Sequence, residues 1–322
     1  MSNHNEIMNN LKNSLYEMTK YIKFKKIIYI DYPTHHNIGD LLIYLGAMEL
    51  LKESGIEVLA QFTATNANVE KVQKLITENN NEVSIVFHGG GNFGDIYEAH
   101  QNCRLLFIEH FPLVNTIIFP QTIFYKNEVK KINDIKIFQQ HKDLTIVVRD
   151  SKSEAIAKGF CNNVLLYPDT AHMLWKGKVT PILDDNFSQN KLKLNRWDCE
   201  GLNEKQKSDF DWPVIINKSD LYFKSIIRRV SSINTPLLVD KCIAYLWEKH
   251  CINLCQRAAK YFNQYAEIET NRLHGHILSC LITKKHTVID NSYGKNFTYL
   301  EQWTKGSDLV VMQTQEEKHG EK

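Results

Sequence analysis

"KIIYIDYPTHHNIGDLLIYLGAMELLKESGIEVLAQF", residues 26–62, decides the fold. "KIIYIDY" (26–32) is a short run of β-branched and aromatic residues, the pattern of a buried strand. "GDLLIYLGAMELLKESG" (39–55) reads as an amphipathic helix closed by Gly55, and "IEVLAQF" (56–62) as the next strand. Strand, helix and strand in this order make a parallel crossover unit. The alternation continues with a helix over 66–80 and strands over 83–91, 115–122, 144–151 and 163–169, with helical segments between them. A parallel sheet with helices on both faces is the architecture such a pattern predicts.

After Trp175 the period loosens, and "KGKVTPILDDNFSQN" (176–190) reads as a linker. A second α/β unit follows, with strands over 191–195, 266–270 and 286–291 and helices over 241–265 and 275–284. Residues 196–235 show no readable period, and the tail "QTQEEKHGEK" is polar and reads as frayed. A chain of 322 residues suits two domains. The expectation is α/β, with two Rossmann-like doubly wound domains over 1–178 and 186–322 facing a cleft.

Hydrophobic content of 43% and charged content of 24% suit a globular protein, and a net charge of +2 gives no global field for nucleic acid or for an anionic membrane. Lysine clusters such as Lys23, Lys25 and Lys26 read as solvated faces. Seven scattered cysteines without a C-x-x-C pair read as reduced thiols. Neither a signal peptide nor a membrane-spanning run is legible. These features predict a cytoplasmic protein, with the inner face of a membrane as a further station.

The chemistry-bearing residues gather at strand ends. His35, His36, Asn37, Gly39 and Asp40 follow the first strand, and His88, Gly89, Gly90, Gly91, Asn92 and Asp95 follow the third. Arg149 ends the fifth, "PDTAH" (168–172) the sixth, and "NRLHGH" (271–276) and "DNSYGKN" (290–296) follow strands of the second half. Ligands of parallel sheets bind beyond those ends, so this edge is the predicted functional face. The glycines suit an anion cradle at a helix start or a turn that only glycine can make. Asp40 and Asp95 suit helix caps or a ligand hydroxyl. Arg149 suits a structural carboxylate or a substrate anion. His274 and His276 lie two apart without a metal-binding spacing, so no metal is predicted there, and His276 reads as a packed ring with satisfied nitrogens.

Taken together, "NIGD", "GGGNFGD", "PQT", "RDS", "PDTAH", "RLHGHI" and "IDNSYGKN" resemble the polysaccharide pyruvyl transferase family, in particular its exopolysaccharide-locus branch. The resemblance implies a GT-B-like fold and transfer of a pyruvyl group from phosphoenolpyruvate to a sugar as a cyclic ketal. No cofactor is implied, and the acceptor is a sugar, lipid-linked or nucleotide-linked. It places Arg149, Arg272 and His274 in catalysis. It places Arg196, Leu273 and Lys295 at matched positions. With the strand-end residues Asn37, Asp40, Gly89, Gly90, Gly91, Asn92, Asp95, Asn291 and Ser292, these are assigned to substrate binding. Asp40 and the glycine turn are put on the acceptor side by their position opposite Arg272. Two other readings stay open on the residues alone: a glycosyltransferase with a nucleotide-sugar donor, and a binding protein for an anionic metabolite.

Overall fold

A computed structural model describes residues 3–180, 189–194, 211–233, 235–290 and 295–313. The first half runs α1 (Asn3–Met18), β1 (Lys26–Ile30), α2 (Ile38–Glu53), β2 (Glu57–Phe62), α3 (Val69–Glu78), β3 (Ser84–Phe87), β4 (Gly90–Gly94) and α4 (Glu98–His110). It continues with β5 (Thr116–Phe124), α5 (Glu128–Phe138), β6 (Leu144–Val148), α6 (Ser151–Ala157) and β7 (Asn163–Leu166). The second half holds β8 (Gln189–Leu194), α7 (Lys218–Ser231), α8 (Leu237–Asn263), β9 (Tyr265–Thr270), α9 (Leu273–Leu281), β10 (His286–Ile289), α10 (Lys295–Trp303) and β11 (Val310–Gln313).

Two parallel sheets result, as the alternation predicts. The first has the order β2-β1-β3-β5-β6-β7, with β4 also paired to β5. Its chain goes outward from β1 to β2 and then returns to the other side at β3. That reversal opens a crevice beyond the ends of β1 and β3, the place where such sheets bind ligands. The second sheet has the order β11-β10-β9-β8.

Three elements differ from expectation. α2 is buried on nearly all sides, with Leu41, Leu42, Ile43, Tyr44, Leu45 and Ala47 all inside. Its outer face, which an isolated domain would leave wet, is covered by the turn Thr170–Leu174 and by α8. The expected strand over 83–91 stops at Phe87, and the glycines form β4 instead of opening a helix. Gly90 and Gly94 have φ of +119° and +130°, and a Cβ on Gly94 would lie 1.8 Å from the Phe124 carbonyl oxygen. These glycines let one backbone run tight along β5.

α1, which carries no strand-helix signal, buries Met8, Leu11, Leu15 and Met18 at helical spacing. Its first turn reaches the second half, where His4 bonds to the Cys280 carbonyl (2.9 Å) and the Ser307 hydroxyl (2.8 Å). One continuous apolar cluster includes side chains of α1, α2, α8 and α9. No helix among the described residues is long and apolar enough to cross a membrane.

Candidate active site

A cleft of about 250 Å³ lies at the crevice between β1 and β3, closed from the other side by the start of α9. Arg149 enters it from the end of β6 and is 5% exposed. Its Nε donates to the Thr122 hydroxyl (3.0 Å) and its Nη1 to Asp169 Oδ2 (2.5 Å). His274 Nε2 stands 3.3 Å from that same carboxylate oxygen. The other oxygen of Asp169 accepts the Ala171 amide (2.9 Å), and the Asp169 amide donates to the Tyr299 hydroxyl (3.0 Å). Burial alone would raise the Asp169 carboxyl. The His274 hydrogen bond and charge, with Arg149 beside it, outweigh burial and hold it well below the usual carboxylate range. One ionised carboxylate therefore orients a guanidinium and an imidazole from two different domains.

Glycines set these positions. A Cβ on Gly39, in the first turn of α2, would lie 2.5 Å from His274 Nδ1, so the ring reaches Asp169 only over a glycine. A Cβ on Gly91 would lie 3.4 Å from Arg149 Nη2. Arg272, at the N-cap of α9, donates from Nη2 to Asp211 (2.6 Å), and its amide donates to the Thr270 hydroxyl (3.0 Å). A carboxylate thus holds each arginine at the cleft wall.

The first-domain wall carries a second ion pair. Asp31 has φ of +74°, a backbone state that costs a non-glycine residue about 1 kcal/mol or more. Its Oδ1 meets His100 Nδ1 at 2.6 Å and its Oδ2 accepts from the Asn92 side-chain Nδ2 at 3.1 Å. Burial would lower the His100 pKa, but the bond and charge of Asp31 outweigh it and the net shift is upward. His88 behaves oppositely. Burial takes its pKa down to about 4, so the ring is neutral. The Tyr29 hydroxyl contacts its Nδ1 at 2.8 Å, and its Nε2 has no partner among the described residues. With Tyr29 as donor, His88 carries a buried Nε2–H just behind the cleft surface.

Asn37, Asp40, Gly91, Asn92, Arg149, Arg272, Leu273 and His274, scattered over 238 positions in the sequence, line this one cleft. Gly89 and Gly90 are buried behind its wall. One assignment needs correction. Asp95 does not line the cleft; it accepts the Lys126 and Asn127 amides (2.7 to 3.0 Å) and so fixes the loop into α5. The Asn92 carboxamide oxygen is taken by Arg104 (2.8 Å) and Gln121 (3.1 Å), which makes Asn92 a brace of the wall. Lys295 opens α10, and Arg196, Asn291 and Ser292 lie outside the described residues.

Sequence reading missed Asp31, His100 and Trp212, which also line the cleft together with Asn271 and Asn296 of the strand-end stretches. His100 carries no strand-end signal because it sits inside α4. Asp31 sits in the quoted opening stretch, but its left-handed backbone has no sequence mark.

His276 is the packed ring that its spacing suggests. Its Nδ1 meets His286 Nε2 at 2.7 Å and its Nε2 meets the Thr304 hydroxyl at 3.1 Å. His286 Nδ1 in turn meets the Lys284 carbonyl at 2.8 Å. With Cys280 these two rings form a buried set whose donor atoms lie within 4.8 Å of one another and could hold a metal ion. Protons alone also satisfy it, and burial pushes the Cys280 thiol well up.

The profile of the family described as polysaccharide pyruvyl transferase matches residues 37–293, a span that includes Arg149, Arg272 and His274. EpsO of Bacillus subtilis (strain 168), named for pyruvyl transfer, is 36% identical over 88% of this chain and 87% of its own. Pyruvyl transferase 1 of Schizosaccharomyces pombe is 32% identical over 88% of this chain and 71% of its own. A crystal structure of an uncharacterised Klebsiella pneumoniae protein superposes with a TM-score of 0.61 at 18% identity, over 95% of this chain and 99% of that one. That likeness concerns the fold.

Proposed function

We propose, because this chain belongs to the polysaccharide pyruvyl transferase family, that it moves a pyruvyl group from phosphoenolpyruvate onto two hydroxyls of one sugar as a cyclic ketal. Transfer of a pyruvyl group follows from the family; the donor and the ketal product are our reading. The observation that carries it is the shared Asp169 carboxylate, which sets Arg149 and His274 side by side. A guanidinium fork suits the phosphate and carboxylate of phosphoenolpyruvate.

The steps balance with groups on the chain and the two substrates. Protonated His274 delivers its proton to C3 of the donor, turning the vinyl CH₂ into a methyl group and leaving C2 electrophilic. The first sugar hydroxyl attacks C2, and its proton passes to a phosphate oxygen of the donor. Phosphate then leaves C2 and the second hydroxyl closes the ring. Of the two hydroxyl protons released, one restores His274 and the other departs with phosphate. Arg149 and Arg272 hold the donor anion throughout, while His88 and Asp40 face the sugar side.

The test is incubation with phosphoenolpyruvate and a panel of free, nucleotide-linked and lipid-linked sugars. Phosphate release with a product heavier by one pyruvyl ketal is the expected result. Thermal stabilisation by a nucleoside diphosphate and none by phosphoenolpyruvate would overturn the reading in favour of a glycosyltransferase.

A further inference from the structure

Sixteen large apolar side chains are exposed among the described residues, and half of them fall within residues 214–246. The two helices that carry most of these, α7 and α8, pack side by side, with the Phe223 and Trp247 rings stacked at 6.3 Å. On α7 they are Leu221, Tyr222 and Ile226, and on α8 Leu238, Tyr245 and Leu246; Tyr222 and Leu238 are each 72% exposed. The helical spacing is regular. Tyr222, Ile226 and Arg229 share one side of α7, whose opposite side buries Asp220, Ile227 and Ser231. Leu238, Lys241, Tyr245 and Lys249 share one side of α8, whose opposite side buries Ile243, Trp247 and Cys251.

The charges on this face have one sign. Lys218, Arg228, Arg229, Lys241 and Lys249 are exposed, and none has an ion-pair partner among the described residues. The nearby acids are turned inward: Asp220 pairs with Arg257 at 2.6 Å and Asp240 with Lys71 at 2.8 Å. Glu248 is half-buried, and burial raises its pKa. A chain of net charge +2 thus carries a local surface that is cationic and apolar together.

We infer that this face of α7 and α8 docks the protein on an anionic lipid bilayer. Tyrosine and aliphatic side chains among lysine and arginine are what a headgroup region accepts, the rings and chains entering the boundary while the cations meet lipid phosphate. A protein partner would favour a patch with fewer lysines. The face also adjoins the cleft. Leu221 and Lys224 line a hollow together with His36, Asn37, Trp212 and Arg272, and the last three of these line the cleft as well. The hollow leads from the docking face to Arg272, so the surface presents the cleft to a sugar carried on a lipid phosphate. This last point rests on the ketal-forming reading; the docking does not.

Vesicle flotation tests it with the full chain, using phosphatidylcholine alone and phosphatidylcholine with phosphatidylglycerol. Wild type floats with the anionic vesicles, stays behind with the neutral ones, and is released by high salt. Two variant sets lose vesicle binding by about tenfold or more: Tyr222→Ser with Ile226→Ser and Leu238→Ser, and Arg228→Glu with Arg229→Glu and Lys241→Glu. Both keep the wild-type melting curve and wild-type phosphate release with a water-soluble acceptor. Wild type that ignores anionic vesicles overturns the proposal. So do variants that bind as wild type does, or a dimer that the variants dissociate in a protein with no vesicle binding, which would assign the face to a second copy. Vesicle binding without phosphate release from phosphoenolpyruvate sinks the proposed reaction and leaves the docking standing.

Discussion

At the residue scale, the shared oxygen of Asp169 joins Arg149 and His274, yet the proposed chemistry gives them different work. Arg149 binds an anion in ground and transition state alike, whereas His274 acts only as C3 takes its proton. Arg149→Ala also strands a buried carboxylate, at a cost of about 3–5 kcal/mol, so the informative variant is Arg149→Lys. Lysine keeps the charge but cannot reach Thr122, Asp169 and a ligand at once, and the expected result is a folded enzyme with KM raised tenfold or more, by roughly 1.4 kcal/mol or more of lost donor binding. His274→Gln should keep donor affinity within a few-fold and lose ~10²–10⁴ in kcat. Calorimetry for affinity and phosphate release for turnover separate the two. Normal turnover in His274→Gln would leave that ring a packing residue against Gly39. Arg149, Arg272 and His274 stood out at strand ends, and the family resemblance supplied the roles proposed for them. The Asp31–His100 pair did not stand out, since one member lies mid-helix and the two are 69 positions apart.

Elements add a constraint that residue chemistry does not. α2 carries two glycines in an otherwise apolar run, and they fail differently. The atoms nearest a Cβ on Gly39 are Nδ1, Cγ and Cβ of His274, at 2.5 to 2.9 Å, a side chain that can shift where a backbone carbonyl cannot. Gly39→Ala should therefore fold with a near-normal melting temperature and lose turnover by about 10²-fold, because the acid is pushed off Asp169. A Cβ on Gly46 meets the Thr170 backbone oxygen at 2.0 Å, which cannot step aside. Gly46→Ala should destabilise by about 1–3 kcal/mol or more. Paired melts and rates on the two variants check both, and a catalytically normal Gly39→Ala would detach that glycine from the site. The helix itself was readable from residues 39–55, but its burial on all sides was not. That burial depends on α8, which begins almost two hundred residues later.

For the whole molecule, neutral histidines packed into the interior couple stability to pH. Burial takes His88, His172 and His286 down to about 4 from an ordinary value of 6.5. Above 6.5 each is neutral folded or unfolded, and nothing is lost. Between 6.5 and about 4 the unfolded chain binds protons that the folded chain refuses, so stability falls, by up to about 3 kcal/mol for each group. The melting temperature should therefore drop steadily from pH 6.5 to 4. A flat profile over that window would show that these rings are charged in the folded protein. His172 also touches the second domain through the Tyr299 hydroxyl at 3.0 Å, so the loss extends to the seam that positions Asp169.

The sequence by itself determined the α/β class, the parallel order of strand and helix, and the edge on which function gathers. Those follow from local periodicity and from glycines and charges placed at strand ends, which act over a few residues. Only the tertiary structure decided that α1 reaches the second half, that the glycine run is a strand against β5, and that Asp95 serves a loop. It alone made Asp169 the common partner of Arg149 and His274. Those outcomes depend on which surfaces remain to be covered after each sheet has formed. Such a surface lies tens to hundreds of positions from the residues that cover it, beyond the reach of any local pattern.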